Sequence, residues 1–146
     1  MNHSTASIRI ELQPDEADLR ALNQALDQYN TQQTGSDREG RIVVTLRDGE
    51  GKLAGGLIAH IDWDWLHIRT LWVQQDMRGC GFGRQLLEAA EVQARLQGCR
   101  GSHLDTFSFQ APDFYARYGY RSFGVLRDFP QGHSRHYMYK SLTEGG

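Results

Sequence analysis

The stretch Val73-Gln74-Gln75-Asp76-Met77-Arg78-Gly79-Cys80-Gly81-Phe82-Gly83-Arg84 sets three glycines between an apolar strand pattern and the start of an amphipathic helix. A phosphate-binding turn needs that arrangement. Glycine lets the main chain approach a ligand and take dihedrals closed to other residues, and a helix N-terminus offers unpaired N–H donors at the positive end of its dipole. Arg78 and Arg84 add full charges beside those donors. Close packing of a helix on a strand would also call for glycines here. A dinucleotide site would need GxGxxG order and an acidic residue about 20 positions on, and a P-loop would need Gly-Lys-Ser/Thr. Gly79-Cys80-Gly81-Phe82-Gly83 has neither the order nor the lysine.

Working outward, residues 65–73 read as a strand and 81–97 as a helix with Phe82, Leu86, Ala89, Val92 and Leu96 on one side and Gly98 as its stop. Upstream, residues 41–47 are rich in β-branched side chains, and Asp48-Gly49-Glu50-Gly51 is a hairpin signal before a strand over 52–61. Further back, residues 8–12 alternate as a short strand and Pro14 opens a helix with Asp15, Glu16 and Asp18 in its first turn. Leu19, Leu22, Leu26 and Tyr29 form its stripe, and residues 31–40 read as a loop. Downstream come a strand over 101–107, a short helix over 112–118 ended by Gly119, and strands over 120–129 and 134–142. The order β α β β β α β α β β predicts an α/β fold with one central mixed sheet flanked by helices.

A chain of 146 residues suits a single domain, 1–146, with a core that needs neither disulfides nor structural metal. A net charge of −2 and the lack of a Lys/Arg cluster argue against nucleic acid as a partner. No apolar run reaches the roughly 20 residues of a membrane span, and residues 1–7 lack the order of a secretion signal, so the expected compartment is the cytoplasm. Cys80 and Cys99 stand alone rather than at zinc-ligand spacing, which predicts reduced thiols and no metal.

Arg78-Gly79-Cys80-Gly81-Phe82-Gly83 resembles the coenzyme A motif of the Gcn5-related N-acetyltransferase family, Arg/Gln-x-x-Gly-x-Gly/Ala directly after a strand. Phe114-Tyr115-Ala116-Arg117-Tyr118-Gly119-Tyr120 is similar to the family's aromatic second motif, some 30 residues on, and the segment 128–140 looks like the ending of small bacterial members. The resemblance is firm over 52–120. It implies a mostly antiparallel sheet splayed at its centre, between the strands ending at Val73 and Phe107, with acetyl-CoA in the cleft as cosubstrate. Leu71, Trp72 and Val73 would then pair with pantetheine, while Arg78, Gly79, Cys80, Gly81, Phe82, Gly83 and Arg84 would hold the diphosphate.

The reaction so implied is acetyl transfer to an amine, of a small molecule or a peptide. It needs a deprotonated nucleophile, a polarised carbonyl and a proton for the leaving thiolate. By motif position Tyr115 is the general acid. A family carboxylate on the preceding strand is replaced near His67, where an imidazole is a candidate base or a structural ring. His133, in a loop, is a surface histidine or a second base. Asp62, Trp63, Asp64, Trp65 and Asp105 offer acidic and aromatic contacts for a cationic amine, or else a solvated turn. A homodimer is compatible with all of this. The competing class is a non-catalytic sensor of acyl-coenzyme A.

Overall fold

The computed structural model describes residues 5–143, which fall by their internal contacts into a segment ending at residue 37 and a larger one beginning at residue 38. The first holds one element, α1 (Glu16–Thr34), capped by the Asp15 carboxylate, which accepts from Ala17 N–H at 3.1 Å. The strand expected over 8–12 does not form. Alternation marks a face but supplies no partner for the backbone groups, and a strand exists only where both are found. The helix also runs past its expected end to Thr34. Thr31 and Thr34 return their hydroxyls to Asp27 O and Asn30 O, so two residues typical of loops are accommodated in the last turns.

The second segment is a six-stranded sheet in the order β1-β2-β3-β4-β6-β5, formed by β1 (Gly40–Arg47), β2 (Leu53–Asp62), β3 (Trp65–Val73), β4 (Gly101–Phe107), β5 (Arg121–Arg127) and β6 (Ser134–Ser141). Every neighbouring pair is antiparallel except β3–β4. The β1–β2 hairpin closes as expected, with Asp48 accepting from the Glu50 and Lys52 amides. Helices α2 (Phe82–Leu96) and α3 (Pro112–Arg117) follow β3 and β4, and α2 packs across β1, β2 and β3. Among the described residues no helix is long and apolar enough to cross a membrane.

The face of α2 that meets the sheet differs from the expected one. Leu86, Leu87, Ala90, Glu91 and Ala94 are buried, whereas Ala89 is exposed and Val92 and Leu96 are largely exposed. Small alanines let the helix approach the strands closely, so bulk was the wrong marker of the inner face. The buried Glu91 is compensated: Lys140 Nζ lies 2.8 Å from Oε1, and Tyr120 Oη lies 2.9 Å from Oε2 and 2.8 Å from Ser102 Oγ. This network ties α2 to β4, β6 and the entry of β5. Replacing Tyr120 by Phe keeps the ring and strands the polar partners, and should lower unfolding free energy by about 1–3 kcal/mol in chemical denaturation; an unchanged midpoint and slope would show that the network adds nothing.

Candidate active site

The one parallel ladder is short. It pairs Trp65 with Gly101, Leu66 with Ser102 and His67 with His103, and then stops, although β3 continues to Val73 and β4 to Phe107. The cause lies on the other edge of β3. Ala59 pairs with Ile68 and Ile58 with Thr70, which leaves Arg69 as an extra, unpaired residue, a β-bulge. A bulge bends and twists its strand, so β3 turns away from β4 two residues after the last ladder pair. The expected splay is therefore present, at the expected pair of strands.

The gap is a cleft of about 640 Å³. Core-side residues Ile68, Leu71, Leu104, Ala111 and Tyr115 line it, and so do Arg69 and Asp105 from the opposite face of the sheet. Alternation along the strands fixes those faces: Leu66, Ile68 and Leu104 belong to the core with α2, while His67, His103 and Asp105 point the other way. The cleft thus passes through the sheet. Its wall between β4 and α3 is fixed by Gln110, whose side-chain oxygen accepts from Phe107 N–H at 2.9 Å.

A second hollow of about 470 Å³ lies at the start of α2, and Val73 and Arg78 line both it and the cleft. Gly79, Gly81, Phe82, Gly83 and Arg84 line this hollow, and Arg78 is clamped to the strand end by Nε donating to Val73 O at 2.7 Å. Gly79 and Gly81 have φ of 77° and 86°, a region that side chains with a Cβ enter at a cost. At Gly83 a Cβ would make an ordinary contact with the Phe114 ring at 3.4 Å. The first hydrogen bond of α2 is Gln85 N–H to Gly81 O, so the amides before it are left to bind something else. Gly79 and Gly81 thus carry a conformational demand for glycine, and Gly83 does not. Cys80, exposed, does not line the hollow, and Arg84 is paired with Glu88 at 2.8 Å on the surface.

Tyr115 is buried in the core and lines the cleft, edge-on to Phe114 and Tyr120. Loss of hydration pushes its phenol up to about pKa 12, so it holds its proton throughout the neutral range. His67 stands at the vertex where the strands part, its ring stacked on His103 at 4.4 Å. Burial lowers its pKa below 6.5, with positive charge on His103 and Arg69 pushing the same way and Asp105 and Asp62 opposing. Asp62 joins His67 in a small recess of about 240 Å³ on that open face, with Glu39, His60 and Arg69. Asp105 is held by Arg135 at 2.8 Å.

Other candidates are not brought together. Trp63 and Asp64 form the tight β2–β3 turn, both with positive φ, and Trp65 starts β3 and packs against Gly101. Trp63 and Asp64 sit at the closed end of β3, while the Trp65 ring stands edge-on to His103 at 6.2 Å, about 10 Å of strand from Ile68, where β3 begins to line the cleft. Asp64 is occupied by Arg38 at 2.7 Å. His133 lines a separate shallow recess with Ser108, Arg127 and Asp128, with Phe109 between it and the cleft, ring centroids 5.0 Å apart. Proximity in sequence to a strand says nothing about which end of that strand the site uses. Missed altogether were Arg69, whose bulge no local pattern marks, and His103. The latter was findable, since a parallel neighbour of β3 with alternation His103, Asp105, Phe107 sets it beside His67.

Residues 6–120 match the model of the acetyltransferase (GNAT) family. The chain belongs to the GNAT acetyltransferase family. It is 46% identical over 103 residues to blasticidin-S acetyltransferase of Streptomyces morookaense, covering 69% of this chain and 76% of that one. An acetyltransferase of Agrobacterium fabrum is 33% identical over 121 residues, 83% of this chain and 88% of its own. The crystal structure of an acetyltransferase from Bacillus cereus superposes with a TM-score of 0.84 at 36% identity, covering 92% and 97% of the two chains. The GNAT chain is accordingly an acyltransferase.

Proposed function

We propose that this GNAT protein transfers the acetyl group of acetyl-CoA to a primary amine of a small molecule or peptide, by direct attack within a ternary complex. The cleft carries the reading: its lining shares Val73 and Arg78 with the hollow at the glycine turn and helix start, and Arg69 and Asp105 line it on the open face, next to the last β3–β4 rung of His67 and His103. The diphosphate rests on the amides and Arg78 at the start of α2, and pantetheine runs along Leu71, Trp72 and Val73 to bring the thioester to the vertex. Asp105 draws in the ammonium group, and His67 takes a proton from it. The free amine attacks the carbonyl carbon and forms the C–N bond. Collapse breaks the C–S bond, and the thiolate takes a proton from Tyr115, which recovers it from the second proton shed by nitrogen. The name of the Streptomyces morookaense relative favours a small-molecule acceptor. We place the reaction in the cytoplasm, where Cys80 and Cys99, both free, stay reduced.

Thiol release with acetyl-CoA and a panel of amines, blasticidin S and short peptides among them, tests this. Turnover with at least one amine is expected; tight coenzyme A binding with no thiol released by any amine would refute it. The pH dependence is a second check. A base must be neutral to act, so activity is present above the His67 pKa and is lost as pH falls through it. With that pKa lowered, the acid limb of kcat/KM should lie below 6.5, and a limb above 7 would remove His67 from the role.

A further inference from the structure

On the open face, a transverse row of side chains crosses the sheet at the vertex. The register pairs Arg41 with His60, His60 with His67, His67 with His103, and His103 with Tyr139. Two imidazoles of this row lie nearly parallel, 12° between planes and 4.4 Å between centroids, and they belong to the last rung before the strands separate. The acetyl transfer above asks for one base, yet two rings of the same chemistry meet at the rung beside which the ammonium group must lose its first proton.

We propose that His103 and His67 act as one proton-accepting unit, in which either stacked ring can hold the single proton taken from the acceptor amine and its charge keeps the other ring neutral. This rests on the acetyl-transfer reading. Two like charges 4.4 Å apart oppose each other, so a proton on one ring keeps a second off the other. Burial lowers the proton affinity of both rings and Arg69 from β3 lowers that of His67 further, while Asp62 from β2 and Asp105 from β4 act in the opposite sense. Arg41 on β1 and Tyr139 on β6 end the row, the latter with Arg121 of β5 at 6.0 Å from its ring. His60 stands next to His67 across β2–β3 without a stacking contact among the described residues. The bond made is N–H on imidazole, the bond broken is N–H on the ammonium, and the proton leaves to solvent from whichever ring faces it. The acceptor amine touches His67 or His103 interchangeably, which makes His103 a second catalytic group rather than a spacer.

The experiment has two arms. In the ligand-free protein, NMR titration of the imidazole protons should give stretched, two-step curves at both rings, and His103→Phe, which keeps the stack, should turn the His67 curve into a single step. Independent one-step titration of each ring, with the His67 midpoint unmoved by His103→Phe, would overturn the unit. In turnover, His103→Phe and His67→Phe should each lower kcat by about tenfold with the KM for acetyl-CoA unchanged. The double variant should fall well below either single variant, since each ring covers for the other. A His103→Phe enzyme with wild-type kcat and pH profile would overturn the sharing even if the titrations are coupled. Absence of turnover in the wild type would count against acetyl transfer itself, and the titration arm is read without it.

Discussion

Tyr115→Phe should lower kcat by about 100-fold while leaving the KM for acetyl-CoA unchanged. The substitution removes one oxygen from a ring whose packing is otherwise preserved, edge-on to Phe114 at 5.2 Å and to Tyr120 at 5.8 Å. Burial holds the phenol protonated at all working pH, so the group enters the reaction as a proton donor. What the hydroxyl supplies is needed only as the C–S bond breaks, when negative charge gathers on sulfur. An interaction absent from the ground state appears in kcat alone. Thiol release by Tyr115→Phe at the wild-type rate would leave the tyrosine as a core residue and nothing more.

Gly81→Val should weaken coenzyme A binding by about 30-fold in calorimetry, from a backbone penalty of about 2 kcal/mol. Gly81 is the N-cap of α2 with φ 86°, and a β-branched residue can relieve that strain only by rotating the peptide planes that aim amides into the hollow. The defect is local, because α2 is anchored further along by Leu86, Leu87, Ala90 and Ala94. Gly49→Ala, in the β1–β2 turn with open space around it, is the control expected to bind as wild type. If Gly81→Val retains full affinity, the diphosphate is gripped elsewhere.

Much of the sheet was legible because its strands are bounded by strong punctuation. Residues 65–73 and 101–107 were read to the residue, each framed by turn residues, and Gly98 marks the stop after α2. The glycine turn was legible for a different reason: positive dihedrals admit few residue types, so the backbone is written in the composition. The failures share a cause. Whether residues 8–12 form a strand and which side of α2 is buried both depend on partners distant in sequence. Arg69 is the sharpest case, since the extra residue is defined by counting against Ile58 and Ala59, and nothing in Arg69 itself announces it. Conversely, Tyr115 was readable from the aromatic segment, while the reason it holds its proton, burial, was not.

Because the opening between β3 and β4 runs from one side of the sheet to the other, donor and acceptor need not share a doorway. A bulky acceptor has no cause to wait until coenzyme A leaves, nor to squeeze past it. Under the proposed transfer, substitutions around His60, Asp62 and Asp105 should alter which amines are accepted while coenzyme A affinity stays as it was. Such a division of labour suits a scaffold whose clientele changes faster than its currency.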